Sequence, residues 1–350
     1  MITTYLSDKI KVLSLVAIIL VLYIHSGFHD YPHEILGMEF NHVLQSVISG
    51  KLGRCAVPLF FMISGFLFFQ HVESLADVWG KMRKRVNTLL VPYIIAALFF
   101  PLFGLMMNQI PFAAQMSNFF WGGNVNKFMK PVGELLCGLF YKKPGGATPW
   151  AFHLWYLRDL IMIVACSPGL FYMRRYVRSE VTCLLFLGLS LVGITEVQFL
   201  SFFWFMAGDA FLGRMDKIRS WDWPVVYAGI CTLEMLWPQA WMGAMDVPFT
   251  AVGILAIWSI YDFAVSCQFS LKNHSWLATA CSFTFFIYLF HEPTLNIVRK
   301  LLIIPLGRSS AGFAINYLVS PWIFMALFVG VGLLFRKYLP RIYSVCVGGR

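Results

Sequence analysis

Charge is what this chain has least of. Only 13% of its 350 residues are Asp, Glu, Lys or Arg, about half the ~25% of an average soluble protein. So few charges cannot cover the surface of a water-soluble fold, and the 59% apolar content excludes disorder. The eight cysteines contain no C-x-x-C pair, and most lie in apolar runs, where a thiol behaves as a small hydrophobe. Neither a disulfide framework nor a cysteine metal site is expected. There is no internal repeat and no linker, so residues 1–350 read as a single polytopic domain. No A-x-A-like site follows the first apolar run in HSGFHDYPHE. That run, preceded by Lys9 and Lys11, is therefore expected to stay as a first span and not to be cleaved as a signal peptide.

What is present is hydrocarbon, with a mean hydropathy of +0.71. A spanning helix needs about 20 mostly apolar residues. Ten runs qualify: 10–28, 56–71, 88–108, 150–172, 180–196, 199–213, 223–241, 246–267, 277–304 and 311–335. The expected fold is an all-α integral membrane protein, a bundle of about ten transmembrane helices. The runs at 180–196 and 199–213 are short, and form either two spans or one hairpin of re-entrant pieces. The longest connection, Gln109 to Pro149, holds Gly122-Gly123, Gly145-Gly146 and several lysines, and reads as an extramembrane loop. With both termini cytoplasmic, 17 basic residues fall inside and 9 outside, which sets that orientation. The net charge of +10 then reports membrane topology, and no nucleic-acid partner is expected.

Ionisable residues within spans are costly, and each is a candidate for function. Eight stand out: His25, Arg158, Asp159, Asp209, Glu234, Asp262, His291 and Glu292. At ~1.5 Å per residue, His25 and His291 both lie ~20 Å above the cytoplasmic face. Arg158 enters from the outer side and Arg54 immediately precedes the second span. These four groups would meet in the outer half of the bundle. Each has a plainer reading beside it. A transmembrane His often serves only as an interhelical hydrogen-bonding group. Arg158 and Asp159 can neutralise each other, and Lys81, Arg83, Lys84 and Arg85 are first a topology signal. Asp209 and Asp262 sit near cytoplasmic ends, within reach of water, whereas Glu234 lies in midspan with no evident partner. His25, His29 and His33 are spaced as a zinc-binding helix face would be, but Asp30, Tyr31 and Pro32 end the helix first, and no metal is expected.

Five segments are more specific than membrane composition requires: LVLYIHSGF around His25, GRCAVPLFFMISGFLFF at 53–69, KRVNTLLVPYI at 84–94, HLWYLRDLI at 153–161 and IYLFHEP at 287–293. In their order and spacing, over approximately residues 8–340, they resemble the acyltransferase-3 family of bacterial inner-membrane enzymes that O-acylate carbohydrates. The likeness is greatest to the branch acting on cell-envelope polysaccharides. The resemblance implies a ten-helix bundle that takes an acetyl group from cytoplasmic acetyl-CoA, with no permanently bound cofactor, and delivers it to a glycan hydroxyl, usually on the outer side. The family's first-span signature is Arg, ten residues, then an essential His. His25 fits the second position, but Ser14 occupies the first. Eleven residues at ~100° each bring these positions onto one face. Lys11, one turn earlier and about 40° away, is the available substitute, although a Lys does not copy a bidentate Arg contact to phosphate. The family's basic pair after the second helix is approximated by Arg85 with Lys81, Arg83 and Lys84 beside it.

Acyl transfer from a thioester to an alcohol needs a base for the hydroxyl and positive charge for the oxyanion. An imidazole suits the first task near neutral pH. His25 is accordingly the expected general base, acting directly or through a transient acyl-His. Arg158 or Arg54 would stabilise the oxyanion or orient the acceptor, and Trp155 would offer an aromatic face to a sugar. Lys11, Arg83 and Arg85 would hold the CoA phosphates, with His291 and Glu292 completing the acceptor pocket. Two other classes stay open: a flippase or transporter for an anionic glycolipid or polysaccharide precursor, and a non-catalytic envelope-assembly protein. A short acyl group other than acetyl, such as succinyl, is a further option for the same site.

Overall fold

The computed structural model describes residues 3–27, 38–108, 151–192, 198–214, 218–236, 246–265 and 269–349, and every regular element among them is helical. The expected loop from Gln109 to Pro149, together with His29 and His33, lies outside the described residues. In chain order the helices are α1 (Thr4–His25), α2 (Met38–Gln45), α3 (Ala56–Phe69), α4 (Leu75–Arg85), α5 (Val91–Asn108), α6 (Trp155–Ala165), α7 (Ser167–Tyr176) and α8 (Ser179–Leu191). They continue as α9 (Phe199–Phe211), α10 (Asp222–Leu236), α11 (Asp246–Ala264), α12 (Ser275–Ser282), α13 (Thr284–Leu306), α14 (Ser310–Tyr338) and α15 (Pro340–Cys346). Two compact units result: Met1–Gly27 with Leu36–Leu75 and Gly169–Thr284, and Phe28–Ile35 with Ala76–Pro168 and Phe285–Arg350.

Several helices depart from the apolar runs for identifiable reasons. The first starts at Thr4, six residues before its run, because the Thr3 hydroxyl accepts the Leu6 N–H as an N-cap. The run at 56–71 is the end of a helical rod reaching back to Phe40, through a π-helical turn at Ser46–Leu52 and a 3₁₀ turn at Gly53–Cys55. Arg54 thus lies inside this rod, not ahead of it. The run at 150–172 breaks at Cys166, with a 61° bend between the two pieces. Among the described residues, three helices are long and apolar enough to cross a membrane: the 40–69 rod, Asp246–Ala264 and Ser310–Tyr338. The bent pair Phe152–Ala165 and Ser167–Tyr176 makes a fourth if it is one span. Helices α8 and α9, of 13 residues each, reach only ~20 Å at ~1.5 Å per residue, short of a ~30 Å hydrocarbon core.

In the first unit α3 and α9 approach until their backbones touch. A Cβ placed on Gly65 would overlap the Phe205 carbonyl, and one on Gly208 would overlap the Met62 carbonyl. Small residues permit such close approach where lipid removes any hydrophobic drive for helices to associate. Phe68, Phe69 and Phe205 fill the space beside this contact with ring centroids 5.2–5.9 Å apart.

The same unit fixes α1 at its N-terminal end. Lys9 is wholly buried, and its Nζ lies 2.7 Å from Asp262 Oδ2 and 4.2 Å from the centre of the Trp258 ring. Asp262 also accepts the Tyr5 hydroxyl at 2.5 Å and the Ile218 N–H at 2.7 Å. Asp8 accepts the Leu271 N–H at 2.9 Å. Asp262 is therefore not a water-reaching end residue, as its sequence position suggested, but one half of a buried ion pair. Asp209 is likewise held, by Arg174 at 2.7 Å and Ser179 at 3.3 Å. In the second unit, α15 folds back so that Tyr343 packs on Phe286 and Phe335. Two residues beyond it, Gly348 at φ +67° sits on the Thr88 backbone.

Two predictions follow from these contacts. Gly65→Ala and Gly208→Ala should each cost about 3 kcal/mol or more, seen as a large fall in detergent melting temperature, while Gly80→Ala, with open space around it, should leave that temperature nearly unchanged. Lys9→Ala should strand the Asp262 carboxylate at a cost of about 3–5 kcal/mol. Lys9→Met combined with Asp262→Asn should lose less than Lys9→Ala alone, by the same melting assay.

Candidate active site

In the first unit, α1 ends on His25, where Ser26 closes the helix through its N–H to the Tyr23 carbonyl. The π-helical and 3₁₀ turns of the 40–69 rod pack against this end. Ser49 Oγ donates to the Tyr23 carbonyl at 2.8 Å, and the Gly53 backbone lies so close that an added Cβ would come within 2.8 Å of the Ile24 side chain. π-turns are rare and concentrate at functional sites. This one brings Lys51, and the next turn brings Arg54, onto the segment that abuts the His25 turn.

Both cations are engaged. Lys51 pairs with Glu234 of α10, and Arg54 Nη1 lies 3.5 Å from Glu234 Oε1 and 2.6 Å from Asp246 Oδ1 of α11. Arg54 Nε also donates to the Gly50 carbonyl at 2.9 Å. Glu234 thereby acquires the partners that the sequence did not reveal, 183 and 180 residues away. Arg54 is a member of an ion network rather than an isolated cation. Lower on α1, Ser14 Oγ donates to the Ile10 carbonyl of its own helix at 2.7 Å. Lys11 is half exposed, with Nζ 3.2 Å from Asp8 Oδ1.

In the second unit two of the sequence segments meet. His153, in the 3₁₀ turn Phe152–Leu154 that opens α6, is buried with its ring edge-on to the buried ring of His291, centroids 5.0 Å apart. His153 Nε2 lies 3.3 Å from the Leu289 carbonyl, and His291 Nδ1 lies 2.7 Å from the Tyr288 carbonyl. Tyr288 closes the cluster by donating its hydroxyl to the His153 carbonyl at 3.1 Å. Each imidazole thus engages a backbone carbonyl through one ring nitrogen, which fixes the orientation of its ring. Helix α13 breaks directly after His291, at Glu292 with φ −106° and ψ 136°. The buried Glu292 is carried on that break. Trp155 begins α6, half-buried, one turn ahead of Arg158. Arg158 is held by its neighbour Asp159 through Nε at 2.9 Å and Nη2 at 2.7 Å. The plainer reading of this pair, mutual neutralisation, is what the geometry displays.

His153 was visible within HLWYLRDLI, but only its contact with His291 marks it as part of a site. The other end of α6 faces a cavity of about 490 Å³ lined by Ile161, Val164 and Ala165 together with Arg83, Arg85 and apolar residues of the 79–90 segment. Arg83 is exposed and Arg85 half-buried. Removal from water lowers the Arg85 pKa, and removal from water together with the Arg85 charge lowers that of Lys81. Between Trp155 and Ala165 the helix rises ~15 Å, so α6 carries the imidazole cluster at one end and the arginine-lined cavity at the other. Among the described residues no group of three or more His, Cys, Asp or Glu side chains is arranged to hold a metal ion.

Residues 8–336 match the family model described as an acyltransferase domain. The chain is also similar to the succinoglycan biosynthesis protein ExoH of Rhizobium meliloti (strain 1021), 23% identical over 366 residues that cover 98% of this chain and 92% of the relative. No solved structure matches the chain. A family match that covers nearly the whole chain leaves a single conclusion: the chain belongs to the acyltransferase-3 family.

Proposed function

We propose that this protein is a multi-pass inner-membrane O-acetyltransferase. It moves an acetyl group from cytoplasmic acetyl-CoA to a hydroxyl of a cell-surface or lipid-linked carbohydrate. The observation that carries the reading is the family match over residues 8–336, joined to a first helix that ends on the half-buried His25. The name of the relative, a succinoglycan biosynthesis protein, supports a polysaccharide as the acceptor class. The apolar runs support a bundle of about ten helices, and the basic-residue asymmetry supports cytoplasmic termini.

In this reading His25 takes the proton of the acceptor hydroxyl as its oxygen attacks the acetyl carbonyl. A tetrahedral oxyanion forms and collapses with departure of the CoA thiolate, which takes up a proton. Arg158 supplies positive charge to the oxyanion, with Asp159 holding the guanidinium in place. Trp155, Arg54, His291 and Glu292 shape the acceptor side, Trp155 by stacking. Lys11, Arg83 and Arg85 receive the phosphates of acetyl-CoA. Ser14 spends its hydroxyl within its own helix, so the cationic task of the family arginine falls to Lys11. The long pantetheine arm is what bridges from a phosphate site to a buried carbonyl, and the ~15 Å rise of α6 is a separation of the kind it spans.

The reading is tested with labelled acetyl-CoA and membrane vesicles containing envelope glycans. Wild-type protein should pass label into the glycan fraction. His25→Ala, accumulated to the same level, should transfer at least about 100-fold more slowly, the smallest loss expected for a general base. Equal labelling by the two proteins would remove His25 from the chemistry and direct attention to His291.

A further inference from the structure

The cavity at the end of α6 has walls that suit an alkyl chain better than a nucleobase. Seven of its ten lining residues, among them Leu89, Leu90, Ile161 and Val164, carry only hydrocarbon or thioether side chains, and an eighth is Trp79. The other two are Arg83 and Arg85, and no acidic side chain takes part. Among the described residues neither arginine forms an ion pair. A polar, hydrogen-bonding adenine would gain little from such walls, because each of its donors and acceptors would lose water without replacement. An alkyl chain loses nothing there.

The helix that carries the two arginines is built for an interface. In α4, Trp79 is largely exposed beside Lys81, Arg83, Lys84 and Arg85. An indole next to a cluster of cations is the composition that settles where lipid headgroups meet hydrocarbon. Basic pockets between transmembrane helices hold anionic headgroups. We propose that this cavity is a binding site for an anionic phospholipid of the surrounding bilayer. Its phosphate rests on Arg83 and Arg85, and one acyl chain lies in the slot formed by Leu89, Leu90, Ile161 and Val164. The site shares its two arginines with the donor assignment above but not its apolar slot, so lipid and acetyl-CoA exclude each other at the guanidiniums. The lipid assignment does not depend on acetyl transfer.

The test uses delipidated full-length protein titrated with dioleoyl-phosphatidylglycerol or dioleoyl-phosphatidylcholine and read by native mass spectrometry. Phosphatidylglycerol should be retained in preference to phosphatidylcholine. The double change Arg83→Gln with Arg85→Gln should lower its retention roughly tenfold to thirtyfold. Ala165→Trp, at an exposed position at the end of α6, should fill the slot and displace phosphatidylglycerol while leaving the melting temperature in place. Undiminished phosphatidylglycerol retention by Ala165→Trp would overturn the proposal. So would loss of acetyl-CoA binding by that variant with lipid retention intact, which would give the cavity to the donor. Absence of acetyl-CoA binding in every form would instead count against the acetyltransferase reading and leave the lipid measurement standing.

Discussion

A lysine ammonium cannot remain charged in a dry interior without a partner, and this requirement fixes the first helix. Lys9 meets it with Asp262 and the face of Trp258. Asp262 in turn is filled by Tyr5 and the Ile218 N–H, and Asp8 is filled by the Leu271 N–H. Three directional attachments within two turns of α1 leave it no freedom to slide or rotate. A slip of one residue would turn the helix by ~100° and shift it by ~1.5 Å. His25, sixteen residues beyond Lys9, would then face a different neighbour. The depth and direction of the imidazole are therefore set about 24 Å away, at the opposite end of the helix that carries it.

The same economy of charge runs through both units. Ion pairs hold Asp209 to Arg174, Glu234 to Lys51 and Arg54, and Asp159 to Arg158. Arg83 and Arg85 are different, facing a hydrocarbon-lined cavity. In a chain with so few charges, cations held against hydrocarbon are where an anionic ligand gains most, whether it is the phosphate of a donor or of a lipid. The paired groups serve position, Asp159 fixing the direction of the Arg158 guanidinium.

Much of this was legible in the sequence. Hydropathy and charge gave a helical membrane protein, and five short segments in the right order gave the family that the match over residues 8–336 shows. The sequence also marked Glu234 as unexplained, which was correct, since its partners come from a helical turn 180 residues away. Hydropathy could not place helix ends. It misses Thr4–Lys9, because a buried lysine reads as loop until Asp262 is seen beside it. It misses the rod from Phe40, because Lys51 and Arg54 sit on helical turns that resemble a connection. It overlooks the break at Cys166, because a bend leaves hydropathy unchanged, whereas the helix-disturbing Pro293 does mark the break at Glu292. The pairing of His153 with His291 joins residues 138 apart in sequence, and no local pattern encodes it.

The central claim is that the cationic sites and His25 serve an acyl-CoA-dependent transfer rather than passage of an anionic glycolipid. The most direct measurement is equilibrium binding of acetyl-CoA to the purified, monodisperse protein. The account predicts saturable binding that free CoA displaces, retained in His25→Ala because that imidazole acts on the acceptor and not on the donor phosphates. A folded protein that binds no acetyl-CoA, but takes up an anionic glycolipid, would contradict it.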